Sequence, residues 1–371
     1  MDFSFNESQT AVAELARKIF QTRVTPQSLK ATEAQPERID RALWSELASV
    51  GLLATALPES AGGSGYGLLE LCALLEEAGA SLAPVPLWST LLVGAMPVAE
   101  FGTDAQRARL LPGVASGDTL LTAGLSEAAN DDPMQPATTA RRAGDAWVLR
   151  GVKECVPMAT ASARILVAAR TGADACGVFL VDPRAQGVTL ERQVVTTGEA
   201  HHRLVLDDVT VEASDVLGDP LRGADVLAWL LPRALVGLCA HELGIVEHVL
   251  RLTASYTTGR TQFERPIATF QAVSQRMGDA YIDVESIRLA TWQAAWRLSQ
   301  GLPASSAVAI AKFFAAEAGH RVVYAAQHLH GGMGFDVDYP LYRYYLRSKQ
   351  NEITLGSAST HLAALGAELA R

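Results

Sequence analysis

Two changes of hydrophobic period constrain this chain more than any single motif. From Asn6 to Phe20 the apolar residues Val12, Leu15, Ala16, Ile19 and Phe20 fall at i, i+3, i+4, i+7 and i+8. That is the stripe of an amphipathic helix, with Asn6 or Ser8 available as its cap. The same period recurs around 39–50, 68–78, 87–101 and 105–114, between short turns marked by Gly or Pro. At Gly117-Asp118 it gives way to short β-type runs over 119–125, 146–152, 165–169, 178–182, 188–195 and 203–206. Turn residues at Asn130-Asp131, Gly172 and Asp182-Pro183 separate them at the spacing of a sandwich or barrel. After Gly218-Asp219-Pro220 the helical period returns in long segments near 221–258, 268–300, 303–330 and 351–370. The order α, β, α predicts an α+β chain with a helical domain over 1–117, a β domain (barrel or sandwich) over 118–219 and a four-helix bundle over 220–371. A segment of about 30 residues spans about 45 Å, which predicts that the last helices also pack against a second subunit.

Composition removes several classes of function. With 371 residues, 49% of them apolar and 19% charged, the chain has the make-up of a globular enzyme able to build large cores. A net charge of −9 repels the phosphates on which nucleic-acid affinity rests, so no nucleic-acid partner is expected. The four cysteines, at 72, 155, 176 and 239, form no CxxC pair, which points to reduced thiols and a cytoplasmic location. The N-terminal MDFSFNESQTAVAELARKIF lacks the basic start and continuous apolar run of a signal peptide. The apolar stretch 85–98 is interrupted by Pro86 and Pro97 and is too short to span a bilayer, so no membrane association is expected.

Some motifs read as ordinary structure. Gly62-Gly63-Ser64-Gly65-Tyr66-Gly67 lacks the G-x-G-x-x-G spacing and follows Leu57-Pro58-Glu59 without a βαβ context, which favours a tight interhelical turn over a phosphate loop. His241 and His248 share a helix face, but Ile245 stands where a zincin helix needs its second histidine. Two corners carry more. In Arg260-Thr261-Gln262-Phe263-Glu264-Arg265-Pro266-Ile267-Ala268-Thr269-Phe270-Gln271, Arg260 is expected to end one long helix and Pro266 to open the next. A guanidinium, an amide and aromatic rings meet there, a set suited to an anionic, planar ligand or to a capped turn. In Gln327-His328-Leu329-His330-Gly331-Gly332-Met333-Gly334-Phe335, three glycines in four residues permit positive φ and a close backbone approach.

The α, β, α order together with RTQFERPIATFQ and HGGMGF resembles the acyl-CoA dehydrogenase family over essentially the whole chain. The first motif matches R-x-x-F-G-x-P-I-x-x-F-Q except that Glu264 replaces the glycine. The resemblance implies FAD lying extended at a subunit interface. Arg260, Gln262 and Phe263 would reach its pyrophosphate and adenosine from the neighbouring subunit, with Ile267, Phe270, His328, Leu329, Gly331 and Gly332 completing the contact. His328 takes the position of the family's glutamine. The reaction implied is α,β-dehydrogenation of an acyl-CoA substrate, a carboxylate taking the α-proton while the β-hydrogen leaves as hydride to the flavin.

Against that pattern the base is missing. Leu355 stands where the common glutamate precedes Gly-Thr, and Pro232 stands at the alternative site just before Arg233, the substrate-side arginine. The middle domain departs too. Leu125-Ser126-Glu127-Ala128-Ala129-Asn130 replaces T-E-P-G-x-G-S-D, Glu154-Cys155-Val156-Pro157 replaces the W-I-T strand under the flavin, and Leu346-Arg347 replaces an R-D pair. What serves the chain's own pocket is eroded, and what reaches into a neighbour is kept. The resemblance therefore implies a base-less subunit that lends flavin contacts to a paralogous catalytic partner, in an α2β2 assembly like the bacterial enzymes acting on steroid side-chain CoA thioesters. Two other readings stay open: a homomeric dehydrogenase or flavin oxidase with its base at Glu127, Glu242 or Glu247, and an acyl-CoA-binding scaffold without flavin.

Overall fold

The structure is a computed structural model that describes residues 4–130 and 132–370. Its packing divides the chain into two compact units that are both discontinuous in sequence. One comprises residues 1–31, 68–83 and 235–371, the other 32–67 and 84–234. The cuts therefore fall elsewhere than the sequential boundaries 117 and 219, because helices near the N-terminus bury their stripes against partners far along the chain.

In the first unit, α1 (Glu7–Arg23) starts with a capping box in which Asn6 and Gln9 satisfy each other's backbone N–H groups. It packs on α4 (Leu68–Ser81), where Arg17 pairs with Glu77 at 2.6 Å. The bundle that follows contains α7 (Gly223–Gly259), α8 (Gln271–Ser299), α9 (Ser305–His330), α10 (Leu341–Ile353) and α11 (Ala358–Leu369). Close helix approach depends on small residues. A Cβ on Gly79 would lie 2.0 Å from the His241 carbonyl, and one on Gly244 would lie 1.8 Å from that of Glu76. The segment expected as one helix over 351–370 is two, because positive φ at Leu355 and Gly356 turns the chain between α10 and α11. Helix α7 is long and apolar enough to cross a bilayer, yet Val236, Cys239, Leu243 and Val246 along it are fully buried in the protein.

In the second unit, α2 (Pro26–Glu33), which begins in the first, leads to α3 (Arg41–Ser49), capped by Asp40. A π-helical stretch over Trp88–Ala95 then runs into α5 (Met96–Phe101), and α6 (Asp104–Ala115) follows. One eight-stranded sheet runs β6 (Val188–Gln193), β7 (His201–Val211), β3 (Ala146–Pro157), β2 (Thr139–Ala143), β4 (Arg164–Arg170), β5 (Cys176–Val181), β8 (Val216–Leu217), with β1 (Leu121–Gly124) parallel to β4. A single residue pair, Thr139 with Arg170, joins β2 to β4. The sheet thus folds over on itself around Trp147, Leu149, Phe179, Leu204 and Leu206, giving the sandwich-like core that the strand spacing predicts.

Candidate functional site

The corner after α7 is a two-residue hairpin. Strand β9 (Thr261–Gln262) pairs with β10 (Arg265–Pro266), and both loop residues, Phe263 and Glu264, adopt positive φ, 52° and 65°. That is the type I′ geometry for which Asn or Gly is normally required, so Glu264 occupies a left-handed position that the family pattern fills with glycine. The expectation that Arg260 ends one helix and Pro266 opens the next is corrected here. Helix α7 stops at Gly259, and a hairpin and a 3-10 turn over Ile267–Thr269 precede α8. The Ile267 N–H donates to the Arg260 carbonyl at 2.9 Å and closes the hairpin base. The Arg265 guanidinium lies 4.1 Å over the Phe270 ring, whose edge meets Phe263. Residues 260–266 are exposed, Phe263 at 88%. The corner presents a cation, an amide and an aromatic ring outward.

The second corner closes α9. His328 is exposed and Leu329 half-buried, while Gly331 turns the chain with φ 57°. Nothing lies within 4 Å of a Cβ built on Gly331 or Gly332, so the backbone there faces open space. The histidine that organises the corner is His330, which sequence reasoning left without a role. It is buried, hydrogen-bonds the Ala326 carbonyl at 2.8 Å and the Tyr339 hydroxyl at 3.0 Å, and stacks on Tyr256. Burial holds its imidazole below the ordinary histidine value, against the Ala326 contact. Because Tyr256 accepts the Arg260 N–H through its backbone, the two corners occupy the same end of the bundle. Beside them Gln327, 9% exposed, leaves its Oε1 without a hydrogen-bond partner, and a Cβ on Gly334 would lie 2.8 Å from its amide nitrogen.

Leu355 and Pro232, the two residues that the resemblance sets at the family's base positions, are not carboxylates. Leu355 sits at φ 56°, its carbonyl engaged by His361 Nε2 at 3.0 Å. Pro232 does not start a helix. It lies inside the continuous α7, where it removes one backbone donor. Arg233 folds back on the same helix, donating to the Trp229 carbonyl at 2.8 Å with its guanidinium 4.0 Å over the Trp229 ring.

The other carboxylates are engaged. Glu127 forms a buried ion pair with Lys153 at 2.6 Å and accepts from the Thr138 backbone and hydroxyl. Burial alone would raise its pKa, but these partners hold it down at about 2. Glu247 pairs with Arg288 at 2.7 Å and Arg251 at 3.4 Å. Glu242 is 1% exposed, accepts from Ser348 at 2.6 Å and Asn351 at 2.8 Å, and is pushed by burial to about 7. Each of the three is held by these partners, Glu127 and Glu242 in near-complete burial and Glu247 with its side chain 26% exposed. His241 and His248 are also accounted for: His241 meets Asn351 at 3.0 Å and His248 stacks on Tyr344.

Comparison with known proteins shows the family. Family models for the acyl-CoA dehydrogenase N-terminal, middle and C-terminal domains match residues 6–118, 123–209 and 222–370. The chain is 37% identical to acyl-CoA dehydrogenase FadE27 of Mycobacterium tuberculosis, across 100% of this chain and 99% of that one. It is 33% identical to FadE28 of the same organism, across 99% and 98%. Among solved structures it is similar to the Tcur3481-Tcur3483 steroid ACAD G363A variant, with 45% identity, a TM-score of 0.92 and 98% of each chain covered. The ChsE4-ChsE5 complex from Mycobacterium tuberculosis matches with 37% identity, a TM-score of 0.95 and 100% and 99% covered. The chain belongs to the acyl-CoA dehydrogenase family.

Proposed function

We propose that this chain is the base-less subunit of a heteromeric, FAD-dependent acyl-CoA dehydrogenase that acts on steroid-type CoA thioesters. The observation that carries the reading is Leu355, an aliphatic side chain at the position of the proton acceptor, with Pro232 at the alternative position. A general base contributes about 10²–10⁴-fold, so a pocket lacking one depends on a partner. The similarity to two-component structures, a complex and a steroid ACAD named for two proteins, supports both the partner and the substrate class.

The exposed corners fit FAD. Arg260 offers a fork for an anionic oxygen, Phe263 a flat apolar face and Gln262 an amide. The bare backbone at 331–332 permits close approach, and the partnerless Gln327 Oε1 lies beside it. Bound FAD supplies the hydride acceptor of the dehydrogenation. The residues of this chain bind and orient the cofactor, and the proton is taken by the partner's carboxylate.

The test is Arg260→Ala in the co-expressed complex. A charge-assisted hydrogen bond is worth about 1.5–3 kcal/mol, so flavin affinity should fall about 10–150-fold with the thermal midpoint in excess FAD unchanged. Arg260→Lys should rescue only partly, because a point charge lacks the two-pronged geometry. Normal flavin retention by Arg260→Ala at low micromolar FAD would reject the donated contact. Full flavin occupancy and turnover by the chain purified alone would reject the base-less role.

A further inference from the structure

Helix α10 ends inside the bundle, and the proposed function makes no use of what holds its end. The last carbonyls of a helix have no partner within it. Here Thr354 donates its N–H and its hydroxyl to the Gln350 carbonyl at 3.0 and 2.7 Å, and Lys312 of α9 donates from Nζ to the carbonyls of Asn351 and Glu352 at 2.5 and 3.1 Å. Lys312 is 1% exposed. A buried ammonium ordinarily sits against a carboxylate, whereas this one sits at the negative end of the α10 dipole, where a cation is also favoured.

Asn351 is held from a second side. Its amide nitrogen donates to Glu242 Oε2 at 2.8 Å and meets His241 Nδ1 at 3.0 Å, both on α7. Ser348, one turn earlier on α10, donates to Glu242 Oε1 at 2.6 Å. Glu242, Ser348 and Asn351 are all buried. Gly319 on α9 makes the room, since a Cβ there would lie 2.8 Å from Glu242 Oε1. Asn351 is therefore fixed to α7 through its side chain and to α9 through its backbone. Beyond it the chain turns sharply, with Leu355 at φ 56° and Gly356 at φ 98°. A leucine in the left-handed region is strained. From the far side the buried His361 of α11 donates its Nε2–H to the Leu355 carbonyl at 3.0 Å. A Cβ on Gly356 would lie 3.0 Å from that nitrogen, so the approach favours glycine.

We propose that Lys312 and His361, braced through Asn351 by Glu242, form a clamp that holds the 354–356 turn in its strained form and so fixes the place of residue 355. Strain of this kind persists where the surroundings over-determine it, and here buried donors grip the backbone on both sides of the turn. Because they grip carbonyls, the clamp works whatever side chain stands at 355. The chain thus keeps the mounting of the position that the resemblance assigns to the family's base, although a leucine occupies it. Lys312 and His361 are positioning residues. The clamp is independent of whether the chain has a base of its own, so its test leaves the proposed function untouched.

The test is a double-mutant cycle in the full chain. Lys312→Met keeps the length of the side chain and removes its donors. Amide hydrogen exchange over 353–361 should then quicken by about tenfold or more, while α8 keeps its rates. In the wild-type background Leu355→Gly should lower the unfolding equilibrium constant about two- to fivefold, the relief of left-handed strain less the chain entropy of glycine. In the Lys312→Met background the turn has already relaxed, and Leu355→Gly should give no such gain. His361→Gln, which keeps a donor, should retain the protection of 353–361, and His361→Phe should lose it. If Lys312→Met fails to fold, the same cycle is run with His361→Phe. An equal gain from Leu355→Gly in both backgrounds would overturn the proposal, because the strain would then be held without the clamp. So would unchanged exchange over 353–361, or exchange that quickens equally in α8.

Discussion

His330 stacks on Tyr256 with ring centroids 4.2 Å apart and 23° between planes, and the Tyr256 hydroxyl lies 3.4 Å from the His330 carbonyl. One aromatic pair thereby ties the end of α7, from which the hairpin at 260–266 departs, to the end of α9, where Gly331 turns. Replacing the half-buried Tyr256 with alanine should cost about 1–3 kcal/mol, less than a fully buried aromatic, and loosen both corners together. Tyr256→Phe, which keeps the stack, should cost under about 1 kcal/mol. Thermal unfolding, with hydrogen exchange over 256–270 and 328–340, checks the pair.

Glu264 holds a backbone conformation that suits glycine, with φ 65° and an exposed side chain. Glu264→Gly should stabilise the protein by about 0.5–1 kcal/mol, the relief of left-handed strain less the greater chain entropy of glycine. A denaturant midpoint that falls instead would show that the Glu264 side chain stabilises the hairpin.

Glu242 sets a pH dependence. Its folded pKa, about 7, lies above the ordinary 4.5 because burial outweighs the bonds from Ser348 and Asn351. The folded state then holds a proton that the unfolded chain has lost. Stability is fully present below about pH 4.5 and is lost as pH rises through 7. Glu242→Gln removes the titration, so the difference in thermal midpoint between wild type and variant should shift in favour of the variant from pH 5 to pH 8. A pH-independent difference would show that Glu242 does not titrate in the folded protein.

The pair Lys153–Glu127 has the opposite sign. Both side chains are almost wholly buried, 2% and 5% exposed, and Glu127 is held at about 2. Its stabilisation is present above pH 4.5 and lost as pH falls towards 2. Lys153→Met strands a buried carboxylate and should cost about 3–5 kcal/mol at pH 7, with the deficit shrinking in acid. Chemical denaturation at pH 7 and pH 3 measures both.

Leu355 supplies no proton acceptor, so in the complex with a catalytic partner Leu355→Ala should change turnover less than tenfold. Removing a working base costs about 10²–10⁴-fold. A loss of that size on Leu355→Ala would place chemistry in this chain's own pocket.

Much of the architecture was legible because period and punctuation are local. The stripe from Val12 to Phe20, the short β runs after Gly117 and the long helices after Pro220 all correspond to observed elements. Motif spacing carried the family, and the residue types at 232 and 355 carried the proposal of a base-less subunit. Other features were not legible. Strands β2, β8, β9 and β10 are short or exposed and have no apolar alternation to announce them. The break between α10 and α11 rests on a leucine in a conformation that leucine rarely adopts.

By itself the sequence determined where the long helices and the core strands lie, which family pattern they follow and which side chains are unable to take a proton, because these depend on neighbours in the chain and on side-chain chemistry. Only the tertiary structure decided that His330 organises the corner after α9 while His328 lies exposed, and that Glu127, Glu242 and Glu247 are engaged elsewhere. Those outcomes turn on burial and on contacts between residues up to 109 positions apart, as between Glu242 and Asn351. Such proximity is set when helices and strands pack, and no local pattern in the chain encodes it.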